Sequence, residues 1–419
     1  MFGSGFGDNS GDISGFLTSP WQQASAVAAS IANDGASEPN IDPSVRISYE
    51  QLVRVAELHL SNTTSLGLSP EHGAVSVEVV TRTDWAKRAI DAYKPLFDDL
   101  ATNLGELVKT QLTALNEDDF DDMGEFAQLL PEGFDMKQIL GMLSASLGPA
   151  MVVSVAGSTI GQLARTAFGT YDLPIPRDNN VSLEVCGRNV ELFADEWSLP
   201  PDELRLWVCC NEMIRRAILG IDHINQRLTM LLAQHCASFE LSETQLEQQL
   251  SGIDLDSPDS LEHLQQMLMN PNFVLEALKT PKQQQLASEI DVVVMAIEGY
   301  CDWILDRVGE RLMGSYSMLN EAIRRRRVES DEGARFVDRL FGVELTQDKL
   351  DAALSFVEHI VELAGPEAAE KIWDDLDHLP TLAEYATPRL WCARVGLELP
   401  EPELNPSDFE IPDFPDLDA

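Results

Sequence analysis

Basic side chains are scarce in this chain: 29 Lys and Arg stand against 70 Asp and Glu, a formal net charge of −41 over 419 residues. Such a surface repels phosphate backbones and anionic lipid headgroups, so nucleic acid and membrane surfaces are poor candidate partners. Solubility is the simplest use of that charge. Cysteine is scarce as well, and the six (Cys186, Cys209, Cys210, Cys236, Cys301 and Cys392) lie scattered in apolar contexts. That pattern speaks against a disulfide framework and for reduced thiols in the cytoplasm. The first residues, Met1 to Asp8, lack the basic and apolar regions of a secretory signal. Histidine is thin too: only His59 and His72 precede residue 200, and both read as solvated or hydrogen-bonded side chains rather than ligands. The acidic run Glu117 to Asp122 lacks the spaced oxygens, central glycine and terminal glutamate of a calcium loop, so it reads as solvated.

Charge is missing altogether from Ile139 to Ala164, which raises the question of a membrane span. Serines, glycines and Pro149 dilute its hydrophobicity, so the expectation is one or two buried helices broken near Gly148 and Pro149. Their small residues would let another helix approach closely, with the Leu204 helix as the candidate.

What is present is enough for a large core, since 44% of the residues are hydrophobic. Residues 1–43 are rich in Gly, Ser, Asp and Asn and read as a disordered leader, with one or two helical turns near Trp21 to Ala32. A single domain is expected over 44–397, its N-terminal part (44–138) helical. Leu52, Val55, Ala56, Leu58 and His59 have helical spacing, and Trp85, Ala89, Ala92, Tyr93 and Leu96 form one face of a helix starting at Thr83. Val75 to Thr81 and Val181 to Val185 read as short strands. Ser238 to Pro281 reads as a variable insertion. Gln284 to Leu312 carries apolar residues at spacings of three and four and is expected to be a second long buried helix, spanning 284–313. Gly333 to Gly365 predicts two more helices, and Trp391 packs inward. The tail, 398–419, mixes Pro with acidic and isolated apolar residues and reads as disordered, or as a docking strip for a partner. The fold class is therefore mainly α, with at most a small β-sheet.

The chain is organised around Leu204 to Gly220, a helix expected over 200–220. Pro200 and Pro201 open it, Asp202 and Glu203 place negative charge in its first turn, and Gly220 ends it. Inside it, Asn211-Glu212-Met213-Ile214-Arg215 occupies the frame of His-Glu-x-x-His, the motif in which two imidazoles hold zinc and the glutamate acts as base. Both imidazoles are replaced, and only Glu212 remains.

The surrounding text gives that frame its weight. The run from Gly157 to Arg177, then Trp197-Ser-Leu-Pro and Leu204-Arg-Leu-Trp-Val, resembles the bacterial type 2 zincin-like metallopeptidase family, whose members are labelled hydrolases or zinc-dependent metalloproteases. The likeness continues in Glu298-Gly299-Tyr300, in Arg324 to Arg327, and in Leu379-Pro-Thr with Trp391 and Arg394, covering roughly Ile47 to Val395. It implies a zincin-like helical core with Asn211, Arg215 and Glu298 at the former metal-ligand positions, Glu212 as a vestigial general base, and Tyr300 and Asp302 in support. Tyr300 stands where relatives tend to have histidine.

Zinc-dependent hydrolysis needs three protein ligands and one open position. Asn211 offers a weak amide oxygen, and the guanidinium of Arg215 has no lone pair to give. Neither Cys209 nor Cys210 shares the face of 211 and 215, and His223 falls about 120° off it at ~100° per residue. The expectation is no cofactor, with zinc as the alternative. Arg215 either replaces the cation electrostatically between Glu212 and Glu298 or points to solvent. Two functions follow: a catalytically impaired homologue that binds a peptide or protein partner, or an active metal-dependent hydrolase using Glu212. The Arg324 to Arg327 run reads as a helix end paired with carboxylates, not a nucleic-acid patch.

Overall fold

Ser19 and Gln22 close a capping box around Pro20, and this starts helix α1 (Pro20–Ala32). The computed structural model describes residues 19–69, 75–114, 153–177, 182–239, 280–328 and 332–399. The same Pro-first start recurs in α2 (Pro43–Leu60), α6 (Pro201–Leu219) and α8 (Pro281–Leu312), because proline's missing N–H costs nothing where no intrahelical partner exists. Between them run β1 (Val77–Val79), α3 (Arg82–Ala114), α4 (153–166), β2 (Leu183–Val185), α5 (Gly187–Trp197) and α7 (Asp222–Cys236). After α8 come α9 (Tyr316–Val328), α10 (Glu332–Phe341), α11 (Gln347–Ala364), α12 (Pro366–Glu370), α13 (Leu382–Ala386) and α14 (Pro388–Arg394).

The mainly helical class is what the structure has, with a two-stranded parallel sheet in which Val77 pairs with Leu183 and Val79 with Val185. Both expected strands form, three residues each. Helices α6 and α8 lie against each other in the interior, α2 covers α6, and α11 covers α8. Trp391 is fully buried, sending its indole N–H to the His378 carbonyl.

Four expectations need correction. The stretch Trp21 to Ala32, expected as one or two turns in an otherwise disordered leader, belongs to the full helix α1, whose Ala24, Ala28 and Ala32 are at most 1% exposed and which packs on α3. The small residues of α4 receive α1, not the Leu204 helix. A Cβ on Gly157 would stand 2.8 Å from Val27 Cβ, and one on Gly161 would stand 2.7 Å from Ile31 Cβ. On α2 the inward face is Tyr49, Val53, Ala56 and Leu60, leaving Val55 and Leu58 exposed; a face read from mixed residues slipped around the helix. On α3, Trp85, Ala89, Tyr93 and Leu96 are buried as expected, while Ala92 is exposed. The expectations for 117–122, for the break near Gly148, for His72, for most of 238–281 and for the tail beyond 399 lie outside the described residues. Among the described residues, no helix is long and apolar enough to cross a membrane.

Candidate functional site

Helix α6 is buried along its middle, and Leu206 to Arg215 all lie inside. Its start is fixed by Glu203, whose carboxylate accepts the Gly314 and Ser315 N–H groups ahead of α9 at 3.1 and 2.9 Å. That acidic side chain meets the positive end of α9, so the two helices are held in register.

Asn211, Arg215 and Glu298 come together. Arg215 is buried, and its Nη2 donates to Glu298 Oε2 at 2.8 Å while Nη1 stands 2.8 Å from Oε1. The second contact is an ion pair without hydrogen-bond alignment, since Oε1 has no hydrogen-bond partner among the described residues. Arg215 Nε donates to Asn211 Oδ1 at 3.1 Å, and Nη1 reaches the Tyr171 carbonyl at 3.4 Å. Burial works against the Arg215 charge, but Glu298 and its neighbours outweigh burial and hold the pKa above its ordinary value. Arg215 is thus the internal cation of this cluster and does not face solvent.

A second guanidinium approaches from α9. Arg327 Nη1 sits 2.7 and 2.8 Å from the two Asp302 oxygens and 3.8 Å from Glu298 Oε2. Asp302 therefore supports the cluster through Arg327. Tyr300 does not: it lies two residues from Glu298, on another side of α8, and its hydroxyl pairs with Thr64 at 2.7 Å. The rest of the arginine run is also paired, Arg324 with Asp351, Arg325 with Glu321 and Arg326 with Asp172. The reading of that run as carboxylate-paired is what the structure has.

Glu212 is handled differently. The segment 167–172 crosses it because β2 accepts that backbone: the Thr170 N–H binds the Glu184 carbonyl, and the Cys186 N–H binds the Phe168 carbonyl. Asn189 caps the end of α4 by donating to the Ala164 and Ala167 carbonyls, and Trp85 Nε1 donates to the Gly169 carbonyl at 2.8 Å. So placed, Gly169 lies flat on the carboxylate, where a Cβ would come within 2.4 Å of Glu212 Cδ. The Tyr171 N–H donates to Glu212 Oε2 at 2.8 Å, and Oε1 is buried with no hydrogen-bond partner among the described residues. Burial, opposed by that N–H bond and by Arg215 and Arg177 and reinforced by Asp172, pushes the Glu212 pKa up to about 8.

This donor set does not suit zinc. Asn211 already uses its amide oxygen on Arg215, Glu298 is taken up by two guanidiniums, and Arg215 fills the second histidine position with a fixed positive charge. Two unit charges ~4 Å apart repel by about 4 kcal/mol at an effective dielectric constant near 20, and a divalent ion doubles that. Cys209 and Cys210 are buried free thiols, and His223 lies beyond Gly220 on α7 rather than in the cluster. Among the described residues, no group of three or more His, Cys, Asp or Glu side chains is placed to hold a metal ion.

Arg327, Gly169 and Tyr171 were missed by residue-by-residue reading. Arg327 had a signal: Leu319, Ile323 and Arg327 are spaced by four, and the first two are buried. Gly169 and Tyr171 sit inside the stretch that carries the family resemblance, but nothing in their spacing points at Glu212.

The chain matches the family model described as zincin-like metallopeptidase over residues 20–392. Among solved structures it is similar to a crystal structure from Chloroflexus aurantiacus, described as having a novel fold, at 20% identity and a TM-score of 0.54, covering 91% of this chain and 100% of that one. A likeness at 20% identity speaks to the shared fold alone. No curated protein matches the chain.

Proposed function

The chain belongs to the zincin-like metallopeptidase family, and from that premise we propose that it is a catalytically impaired member that works by binding a protein or peptide partner. One observation carries the reading. At the frame position of the second zinc-binding histidine stands Arg215, buried and paired at 2.8 Å with Glu298, the residue matched to the third ligand. A guanidinium there supplies the positive charge that Glu298 needs and has no lone pair with which to bind a metal. Glu212, Arg215 and Glu298 are 1%, 3% and 0% exposed, so the partner is met on the outer surface and not against Glu212. Six buried free thiols suit a reducing cytoplasm, and the charge of −41 favours protein over nucleic acid or membrane as partner.

Elemental analysis of protein expressed in zinc-supplemented medium tests this. The expected result is far less than one zinc per chain. The variant Asn211→His/Arg215→His, which rebuilds two imidazole positions beside Glu298, is expected to gain zinc. One zinc per wild-type chain, lost in Glu298→Gln, would overturn the proposal.

A second reading draws on Glu212 itself. A buried carboxyl with a pKa near 8 and an unpartnered oxygen is chemically able to exchange a proton near neutral pH, which favours an active hydrolase with a non-standard site. Peptide hydrolysis by wild-type protein that disappears in Glu212→Gln would decide for it.

A further inference from the structure

Away from the α6 cluster, α7, the first half of α8 and the short turn at 376–379 enclose a groove of about 560 Å³. That volume lies within the range of ligand-binding clefts. Its floor is apolar, made by Val292, Val293 and Leu379, and its mouth carries two exposed apolar side chains, Met230 (43%) and Leu376 (39%).

Three polar features line it. His223 Nε2 is buried and has no hydrogen-bond partner among the described residues. A buried polar atom without a partner costs roughly 1–3 kcal/mol, so an occupant that satisfies it gains by doing so. Arg227 is already neutralised by Glu289 at 2.7 Å. Asp377 is exposed, and among the described residues its carboxylate makes no ion pair, although Arg394 donates to its backbone carbonyl and feels its charge. The Arg, Glu and Asp side chains of the groove, Arg227, Glu289 and Asp377, therefore sum to one negative charge, inside a protein whose net charge is −41.

The geometry points to a docking site for a short basic and apolar peptide segment of another protein: an apolar side chain enters between Met230 and Leu376, an adjacent Lys or Arg pairs with Asp377, and the peptide backbone satisfies His223 Nε2. Charge complementarity selects this occupant. An acidic peptide would meet Asp377 and the field of the whole molecule, and a purely apolar one would bring no counter-charge to Asp377. The inference deepens the binding function and rests on it only for the premise that binding is the activity.

The test is a fluorescence-anisotropy titration of the full chain with labelled Ala-Leu-Lys-Leu-Ala. Two control peptides carry Glu in place of Lys, or Ala in place of both Leu. Saturable binding of the first peptide alone is expected, weakening as salt rises. Asp377→Asn and Met230→Glu, both exposed positions, should each weaken it by roughly five- to tenfold with unchanged thermal melting. Equal binding of the Glu peptide, no binding at all, or no effect of either substitution would overturn the site. So would self-association of the chain through this face in sedimentation, or displacement of the probe by a synthetic 400–419 peptide, since each names a different occupant. Zinc content is a separate readout. A failed titration on zinc-free protein removes the groove and leaves the impaired-site proposal standing, whereas one zinc per chain does the reverse.

Discussion

Glu212 and Glu298 are both buried glutamates on adjoining helices of one core, yet they are housed in opposite ways. Glu298 is held by Arg215 at 2.8 Å and approached by Arg327 at 3.8 Å. Glu212 has one backbone N–H, a glycine pressed on its carboxylate and an oxygen with no hydrogen-bond partner among the described residues. Burial alone does not decide how a carboxylate behaves. At Glu212 a single amide does not offset burial, so its pKa climbs to about 8. The buried cation of this core thus stands at Glu298 and not at Glu212.

The strongest way to break this contrast is to remove the cation from Glu298. Arg215→Met should cost about 3–5 kcal/mol in urea unfolding, the range for stripping one partner from a buried ion pair. The double variant Arg215→Met/Glu298→Met should recover most of that loss, because the uncompensated charge leaves with its partner. A single-variant cost under ~1 kcal/mol would mean that Arg327 alone carries Glu298.

Next in size is Gly169→Ala. Its Cβ would need space 2.4 Å from Glu212 Cδ, and the strand contacts of residues 168 and 170 prevent the loop from lifting. Overpacking of this kind costs about 1–3 kcal/mol. The cost should shrink when Glu212 is also replaced by Ser, and if it does not, the glycine is required by its backbone and not by the carboxylate.

An effect read as a slope over pH, not as the cost of one substitution, sharpens the Glu212 side. The folded chain holds the Glu212 proton up to about pH 8, whereas the unfolded chain loses it near 4.5. Between those values folding retains a proton that unfolding releases, so this group's contribution falls as pH rises and levels off above about 8. The slope is at most ~1.4 kcal/mol per pH unit. Subtracting the Glu212→Gln stability profile from that of the wild type should isolate it. A flat difference between pH 5 and 8 would place the carboxylate in contact with water.

Much of this was legible in the sequence because it depended on spacing. Helix α6 and helix α8 follow from apolar periodicity, whereas Glu298 entered through the family resemblance and its pairing with Arg215 was one of two alternatives. What was not legible depended on chain crossings. That residues 168–171 lie over Glu212 follows from β2 accepting them, a pairing no local pattern encodes. Likewise, Gly157 and Gly161 announce a close helix neighbour but not which one, and the neighbour is α1, from the stretch whose composition reads as disordered. Tyr300 was drawn toward the site by the family resemblance, where relatives tend to have histidine, although a two-residue step from Glu298 turns it toward Thr64.

The arginine run on α9 supplies the smallest test and the cleanest internal control. Arg324 and Arg327 sit one turn apart and both meet aspartate, but the first pair is 36% and 53% exposed in its side chains and the second 7% and 18%. Water competes for the exposed pair and salt screens it, so Arg324→Ala should cost no more than about 1 kcal/mol and nothing measurable in ~1 M salt. Arg327→Ala removes the sole ion-pair partner of Asp302 among the described residues and one of the two cations at Glu298, and its cost should persist at the same salt concentration. Equal salt sensitivity in the two variants would mean that the pocket around Glu298 is wet. In that case a guanidinium would no longer be required there to hold the charge.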